Sequence, residues 1–286
     1  MKFGIIGNKS KPTIGGVLDK LIGFLNLKKI DYIIEESLAN RIKVKPIKDK
    51  CFSLNHLLNN SDIIISIGGD GTFLNTARKV GNRVLPILGV NLGNLGFMAE
   101  VMPNEMNKFI LEILKGNYKV YDLCVISSKI DHRKETFGMN ELVIDKCNSI
   151  KMVEIEIFYK NERVVNFVGD GVIISTPTGS TGYSLSAGGP IISPYSKVFI
   201  ITPICPHTLN FRPIIVPDDG SIKIKTLGKE KVRLTADGFK SIIYNSPAEF
   251  NLTKAEHTVK VVKKINKTYF QTLNNKLLWG ADVRHK

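Results

Sequence analysis

The chain has 286 residues and carries 40 Lys and Arg against 26 Asp and Glu, a formal net charge of +14. Its 43% hydrophobic and 23% charged residues are the make-up of a soluble globular protein and exclude disordered and fibrous classes; no apolar run approaches the roughly 18–20 residues of a membrane helix. Four scattered cysteines (Cys51, Cys124, Cys147, Cys205) without a CxxC pair, and five histidines without HxxxH spacing, argue against a disulfide framework or a zinc site.

The opening MKFGIIGNKS is too broken for a signal-peptide core, so a cytoplasmic location is expected. In chain order, FGIIG reads as a strand, Pro12 to Asn26 as a helix and DYIIEE as a second strand. Residues 41–48, RIKVKPIK, alternate basic and apolar positions as a half-buried strand does. A short helix is expected near Phe52–Leu58, then a buried strand opening DIIISIGGD, then another in RVLPILGVN. From Pro103 to Lys115, Met106, Phe109, Ile110, Ile113 and Leu114 share one helical stripe, with Pro103 at its start and Gly116 past its end. This alternation predicts a parallel α/β sheet covered by helices on both faces.

Past Gly116 the texture turns β-rich. YKVYDLCVISSKI, TFGMNELVIDK, KMVEIEIFYK and RVVNFVGDGVIIST are strand-like, and KNER at 160–163 marks a hairpin turn. A helical stretch is expected around Gly182–Ala187, before VFIITPI, SIKIKT, VRLTAD, SIIYN and TVKVVKKI. The pattern predicts an α/β domain over 1–120, a β-rich domain over 121–264, and a tail over 265–286, with Trp279, that returns to the first domain. Two halves without a long linker are expected to pack closely around a shared site.

Four segments carry chemistry. Gly68-Gly69-Asp70-Gly71-Thr72 follows the strand Ile63–Ile67 and precedes FLNTARKV, which can start a helix; such loops at strand C-termini are where α/β sheets bind ligands. Gly68, Gly69 and Gly71 let backbone N–H groups approach phosphate oxygens, and Thr72 is placed to cap a helix whose start favours anions. Asp70 would repel a phosphate. It makes sense as the acceptor of a proton from an attacking hydroxyl, or as a holder of Mg²⁺ that neutralises the phosphates.

Gly169-Asp170-Gly171 leads through a buried strand, Val172–Ser175, into a loop dense in Thr, Ser and Gly. There Pro177 fixes a turn, Gly179 and Gly182 permit close approach, and Ser180, Thr181 and Ser184 offer hydroxyls. Tyr183 adds a flat face with a polar tip. Asn140-Glu141 can bond ribose hydroxyls or form a plain surface turn. Gly89 to Phe97, GVNLGNLGF, suits ligand approach or a structural turn, and Phe97 can pack against a base.

Taken together, GGDGT, GVNLGNLGF, NE and DGVIISTPTGSTGYSLSAGGP, in that order, resemble the NAD kinase family over residues 2–260. GGDGT alone is shared with lipid kinases and, in similar form, with phosphofructokinases; TPTGSTGY is the specific segment. The resemblance implies an NAD kinase/diacylglycerol kinase-like architecture with a site in the cleft between the α/β and β-rich domains. It also implies a homodimer or homotetramer in which a neighbouring subunit completes the NAD pocket. The implied reaction moves a phosphoryl group from ATP, another nucleoside triphosphate or polyphosphate to the adenosine-ribose 2′-hydroxyl of NAD. Mg²⁺ or another divalent cation accompanies the donor.

By the same resemblance, Asp70 is the base for that hydroxyl, and the backbone of Gly68, Gly69, Gly71 and Thr72 faces the donor phosphates. Asn140 and Glu141 meet the ribose and Phe97 the adenine. Asp170, Thr181, Gly182, Tyr183, Ser184, Leu185 and Ser186 form the rest of the NAD wall, with Gly71 beside Asp70. Lys151 stands where relatives carry a basic or imidazole side chain. Three positions depart from the common pattern. Gly182 replaces an alanine and widens the pocket, Val168 replaces an arginine near the product's 2′-phosphate and so bears on NADP feedback, and Leu92 replaces another arginine.

The charge of +14 suits a nucleotide, a nucleic acid, or solvated lysines alone, and Lys9 and Lys11 are candidates for positive potential near the site. No long basic block or aromatic interleaving of the single-strand-binding type is present, so neither nucleic acid nor membrane is expected as a partner. The alternatives are a lipid kinase, which TPTGSTGY disfavours, and a non-catalytic NAD(P)- or nucleic-acid-binding protein, which has no need of Asp70.

Overall fold

The computed structural model describes residues 1–44, 48–93, 96–129, 135–208 and 210–278. Lys45, Pro46 and Ile47 of the expected RIKVKPIK strand, Asn94 and Leu95 of the Gly89–Phe97 motif, and Trp279 lie outside the described residues. The chain divides into two units, residues 1–122 with 259–286, and residues 123–258.

The first unit runs β1 (Lys2–Gly7), α1 (Ile14–Leu27), β2 (Asp31–Glu35), β3 (Cys51–Phe52), α2 (Leu54–Asn59), β4 (Ile63–Gly68), α3 (Asp70–Val80), β5 (Ile87–Asn91), α4 (Pro103–Leu114) and β6 (Lys119–Leu123). All residues of β4 and β5 are buried, as continuous apolar strands of a parallel sheet covered on both faces must be. Ile14, Leu18, Leu21, Ile22 and Leu25 of α1 are buried at helical spacing. On α4, Met106, Phe109, Ile110 and Ile113 go inside, whereas Leu114, placed on that stripe by the sequence, is 42% exposed at the helix end.

The chain leaves β1 for β2 and β3 on one side and returns to β4 and β5 on the other, with parallel pairing throughout. The order in which the chain adds strands therefore reverses between β1 and β4, the point at which the loops after two neighbouring strands diverge and leave a crevice for a ligand. The loop after β1 is tied to the end of β4, since Asn8 N–H donates to the Ile67 carbonyl at 2.9 Å. Lys9 and Lys11 sit exposed on that loop.

Residues 41–44 are not a strand. A 3₁₀ turn covers Glu36–Arg41, and the Lys43 and Val44 N–H groups donate to the Asp19 carboxylate at 2.8 and 3.1 Å. The backbone there is satisfied by a side chain, so alternating residues imitate a strand without a neighbour to pair with.

The second unit contains β7 (Ile126–Lys129), β8 (Thr136–Gly138), β9 (Glu141–Asp145), β10 (Val153–Tyr159), β11 (Glu162–Gly169), β12 (Gly171–Ser175), α5 (Tyr183–Ser186), β13 (Val198–Ile204), β14 (Ile214–Pro217), β15 (Ile222–Leu227), β16 (Lys231–Ala236), β17 (Lys240–Asn245) and β18 (Ala248–Lys254). They form two six-stranded sheets, β11-β10-β15-β18-β7-β8 and β14-β13-β12-β9-β16-β17. Their inner faces share one core that includes Ile155, Ile174, Phe199, Leu234 and Phe250, the usual burial of alternate residues in a sandwich. The β10–β11 hairpin turns on Lys160 and Asn161, with φ of 49° and 68°, a left-handed pair suited to the twist of the strands. It is a tighter turn than the four residues KNER. Two strands were not anticipated: β14, IIVP, has no alternation, whereas β18, AEFNLTK, does alternate and buries Phe250 and Leu252.

The run YKVYDLCVISSKI breaks at Cys124. Its first part, β6, stays in the first sheet, and its second part, β7, joins the second unit. The chain then returns as β19 (Val259–Lys263) and α6 (Tyr269–Leu277). Strand β19 lies between β5 and β6, with Val261 opposite Ile87 in parallel. The sequence grouped TVKVVKKI with the β-rich half, but its alternation defines an inner face without naming the sheet that face belongs to. Helix α6 starts on a reciprocal cap: Thr268 Oγ1 accepts from Gln271 N–H at 3.2 Å, and Gln271 Oε1 from Thr268 N–H at 2.9 Å.

Candidate active site

The glycine loop has two kinds of glycine. A Cβ on Gly68 would strike the Thr72 side chain, so this residue is fixed by internal packing. Gly69 and Gly71 have nothing within 4 Å of that position, leaving their backbone open to a ligand. The helix α3 starts at Asp70 with Gly69 as its N-cap. Thr72 is therefore inside the first turn and does not cap it, because the chain turns helical three residues earlier than the sequence suggested.

Asp70 puts its carboxylate at the start of a helix, where the N-terminal partial charge favours an anion. Oδ1 accepts from Met98 and Ala99 N–H, both at 3.0 Å, and Oδ2 accepts from Phe97 N–H at 2.9 Å and from Lys276 Nζ at 2.9 Å. Burial alone would raise its pKa, but the Ala99 N–H, the Lys276 ammonium and the Phe97 N–H outweigh it and hold the carboxyl below its ordinary value. Asp70 is thus kept ionised.

The loop that supplies these N–H groups is pinned from several directions. Asn91 Nδ2 donates to the Ala99 carbonyl at 3.1 Å. Lys263 Nζ donates to the Phe97 carbonyl at 2.8 Å and to Glu100 Oε2 at 3.0 Å, and Lys267 Nζ to the Glu100 carbonyl at 3.2 Å. A Cβ on Gly96 would collide with the Asp70 carboxylate, which explains the glycine before Phe97. Phe97 is only 8% exposed, and Lys276 Nζ lies 4.3 Å from its ring centroid. Leu92 packs against the core of this unit.

In the second unit, Asn140 and Glu141 are set by Asp237, which the sequence analysis did not single out. The Asp237 carboxylate accepts from Met139, Asn140 and Glu141 N–H at 2.8, 2.8 and 3.0 Å. The TPTGST segment closes on the same turn. Thr176 N–H donates to the Asn140 carbonyl at 2.8 Å, Thr176 Oγ1 to the Met139 carbonyl at 2.6 Å, and a Cβ on Gly179 would run into the Asn140 backbone. Two motifs far apart in sequence are therefore one structural unit.

Glu141 is 8% exposed, and its Oε2 is buried without a hydrogen-bond partner. Burial, reinforced by the charge on Asp237, pushes its carboxyl up to about 8. A neutral acid with an unused oxygen is prepared to bond a polar ligand group. The shift also has a sign for stability. Between the ordinary carboxylate range and about pH 8, the folded chain holds a proton that the unfolded chain has lost, so stability from this group falls as pH rises. Glu141→Gln is expected to be gained on by no such loss: its melting-temperature advantage over the native chain should widen from pH 5 to pH 8, and parallel melting curves across that range would refute the assignment.

The remaining expected site residues are placed unevenly. Asp170, between β11 and β12, pairs with Lys146 at 2.8 Å. Tyr183 is 46% exposed, and burial of its hydroxyl, with Asp145, Asp170 and Glu141 among the acidic groups nearby, raises its pKa. Thr181 and Gly182 lie half-buried on the 3₁₀ turn leading to α5, with Leu185 half-buried and Ser186 exposed beyond them. Ser184 points inward: fully buried, its hydroxyl shares a 2.9 Å bond with Thr202, so it holds α5 in place. Lys151 is 81% exposed and pairs with Glu230 at 3.4 Å, not with Asp170 or Glu141. Val168 is 42% exposed on β11.

Residues 3–118 match the ATP-NAD kinase N-terminal domain family and residues 139–264 the ATP-NAD kinase C-terminal domain family. The NAD kinase of Bacteroides fragilis is 38% identical over 291 residues, covering 99% of this chain and 100% of the relative. That of Flavobacterium johnsoniae is 35% identical over 294 residues, covering 100% of each. Among solved structures, yeast NADH kinase complexed with NADH is similar at a TM-score of 0.89 and 26% identity, over 100% of this chain and 90% of that one. An NAD kinase from Archaeoglobus fulgidus in complex with ATP shares the fold at a TM-score of 0.76 and 23% identity, over 96% and 99%. With both domain families matched in order along the chain and full-length relatives at 38% and 35% identity, the chain belongs to the NAD kinase family.

Proposed function

We propose that the chain phosphorylates NAD at the 2′-hydroxyl of its adenosine ribose, taking the phosphoryl group from ATP or a related donor. The observation that carries this reading is Asp70, held ionised by its neighbours beside two glycines whose backbone is open. A carboxylate so placed can accept the hydroxyl proton as the oxygen attacks phosphorus, while the loop positions the donor's phosphates. The names of the relatives, and the NADH and ATP in the two structures, agree with this pair of substrates.

On this reading Asn140 and Glu141 bond the ribose, and Asp170, Thr181, Gly182, Tyr183, Leu185 and Ser186 supply further contacts to NAD. Phe97 takes the adenine. A divalent cation, Mg²⁺ above all, would neutralise charge on the donor. Among the described residues no three His, Cys, Asp or Glu side chains gather to hold one, and both Asp70 oxygens already have donors, so the donor's own phosphate oxygens would be its principal ligands. Assembly as a homodimer or homotetramer through the second unit belongs to the same reading. Exposed Ile150 (96%) and Ile243 (56%) suit such a contact. No described helix is long and apolar enough to cross a membrane.

The test is incubation of the purified chain with NAD, ATP and Mg²⁺, with NADP detected by an NADP-specific dehydrogenase. NADP should accumulate in proportion to enzyme. A folded protein that makes none with ATP, other triphosphates or polyphosphate would overturn the proposal.

A further inference from the structure

The last turn of α6 brings one ammonium to the two groups on which the proposed reaction depends. Lys276 Nζ is 2.9 Å from Asp70 Oδ2 and 4.3 Å from the centroid of the Phe97 ring. It is also the fourth donor on a carboxylate whose other three donors are backbone N–H groups. The backbone donors are fixed by the fold. The lysine is not: its side chain is 32% exposed, on a flexible four-carbon stem.

We propose that Lys276 is a catalytic cation that rests on Asp70 in the free enzyme and binds the phosphoryl group during transfer. This rests on the proposed reaction and adds a residue to it. An adenine seated on Phe97 needs the ring face that Lys276 now covers, and a hydroxyl approaching Asp70 needs the oxygen position that Lys276 now fills. Substrate binding therefore moves the ammonium off both.

The chemistry gives it somewhere to go. As transfer proceeds, the hydroxyl O–H bond breaks and its proton passes to Asp70, an O–P bond forms to the ribose oxygen, and the bond from phosphorus to the donor's leaving oxygen breaks with its electron pair on that oxygen. Asp70 becomes neutral as the transferred group needs a positive partner. One ammonium serves both anions in turn, first the carboxylate and then the phosphoryl oxygens, in a site where a charge aimed at the transition state is most effective. Among the described residues, Lys276 is the charged side chain that acts on Asp70. Lys263 and Lys267 on the chain leading to α6 are engaged instead with Glu100 and the loop carbonyls.

The experiment compares wild type, Lys276→Met and Lys276→Arg for kcat, for NAD binding by calorimetry, for the acid limb of kcat/KM against pH, and for melting temperature. The expected result is a fall in kcat of about 10²-fold for Lys276→Met with NAD binding retained, partial recovery in Lys276→Arg, and an acid limb moved to higher pH in Lys276→Met, since the charge that favours ionised Asp70 is gone. If Lys276→Met melts early, Lys276→Gln takes its place in the same measurements. A kcat within about threefold of wild type, or an unmoved acid limb, overturns the role. Should wild type itself form no NADP, the functional reading fails first; should wild type be active and the variants match it, only the lysine's role fails.

Discussion

Asp70→Asn is expected to lower kcat by about 10²–10⁴-fold, the usual range for loss of a general base, while NAD affinity changes only a few-fold. The amide keeps the shape of the carboxylate and one oxygen that can still accept from Met98 and Ala99. Its NH₂ would face the Phe97 N–H and the Lys276 ammonium, donors both, so some local rearrangement should accompany the chemical loss. Steady-state kinetics with a parallel thermal melt separate the two effects. Turnover close to wild type in a folded variant would remove Asp70 as the base. A variant that binds NAD and stays folded but does not turn over would place the defect in proton transfer.

The second large effect is expected at Asp237. Asp237→Ala leaves the N–H groups of Met139, Asn140 and Glu141 without their carboxylate; allowing for water at this half-buried turn, the loss of stability should be about 3 kcal/mol. Asn140 and Glu141 would also lose their fixed backbone register, and KM for NAD should rise by roughly tenfold with a smaller change in kcat, as expected when a binding contact is lost. The same variant removes the charge that helps keep Glu141 protonated, so the pH dependence of melting described for Glu141 should weaken. Lowered stability with an unchanged KM would show that the turn binds NAD without needing Asp237 to shape it.

These two aspartates show what a sequence can and cannot disclose. Asp70 was legible because a carboxylate among glycines after a buried strand is chemically odd, and that oddness is local. Its partners were not. Phe97, Met98 and Ala99 contribute backbone N–H groups, which carry no residue signature, and Lys276 is 206 positions away on a weakly patterned segment. Asp237 closed the strand-like run VRLTAD and drew no notice; its backbone turns there with φ of 48°, and its separation of 97 positions from Asn140 hid what its side chain does. Ser184 erred in the other direction. A hydroxyl in a ligand-like segment reads as a contact, and only the proximity of Thr202 shows that it faces the core. The layers of the fold followed from periodicity, because burial writes itself into every second or every third to fourth residue. Strand membership did not, as β19 shows.

That strand has a consequence for how the protein comes into being. Segments are made in chain order, and domains commonly fold as they emerge from the ribosome, the earlier before the later. Here β19 separates β5 from β6, while Lys263, Lys267 and Lys276 hold the loop and carboxylate of the glycine site. All of them are translated after the whole of residues 123–258. The unit begun first is thus completed last, and a nascent chain that already carries GGDGT has no finished phosphoryl-transfer site to expose until the intervening sandwich has left the exit tunnel.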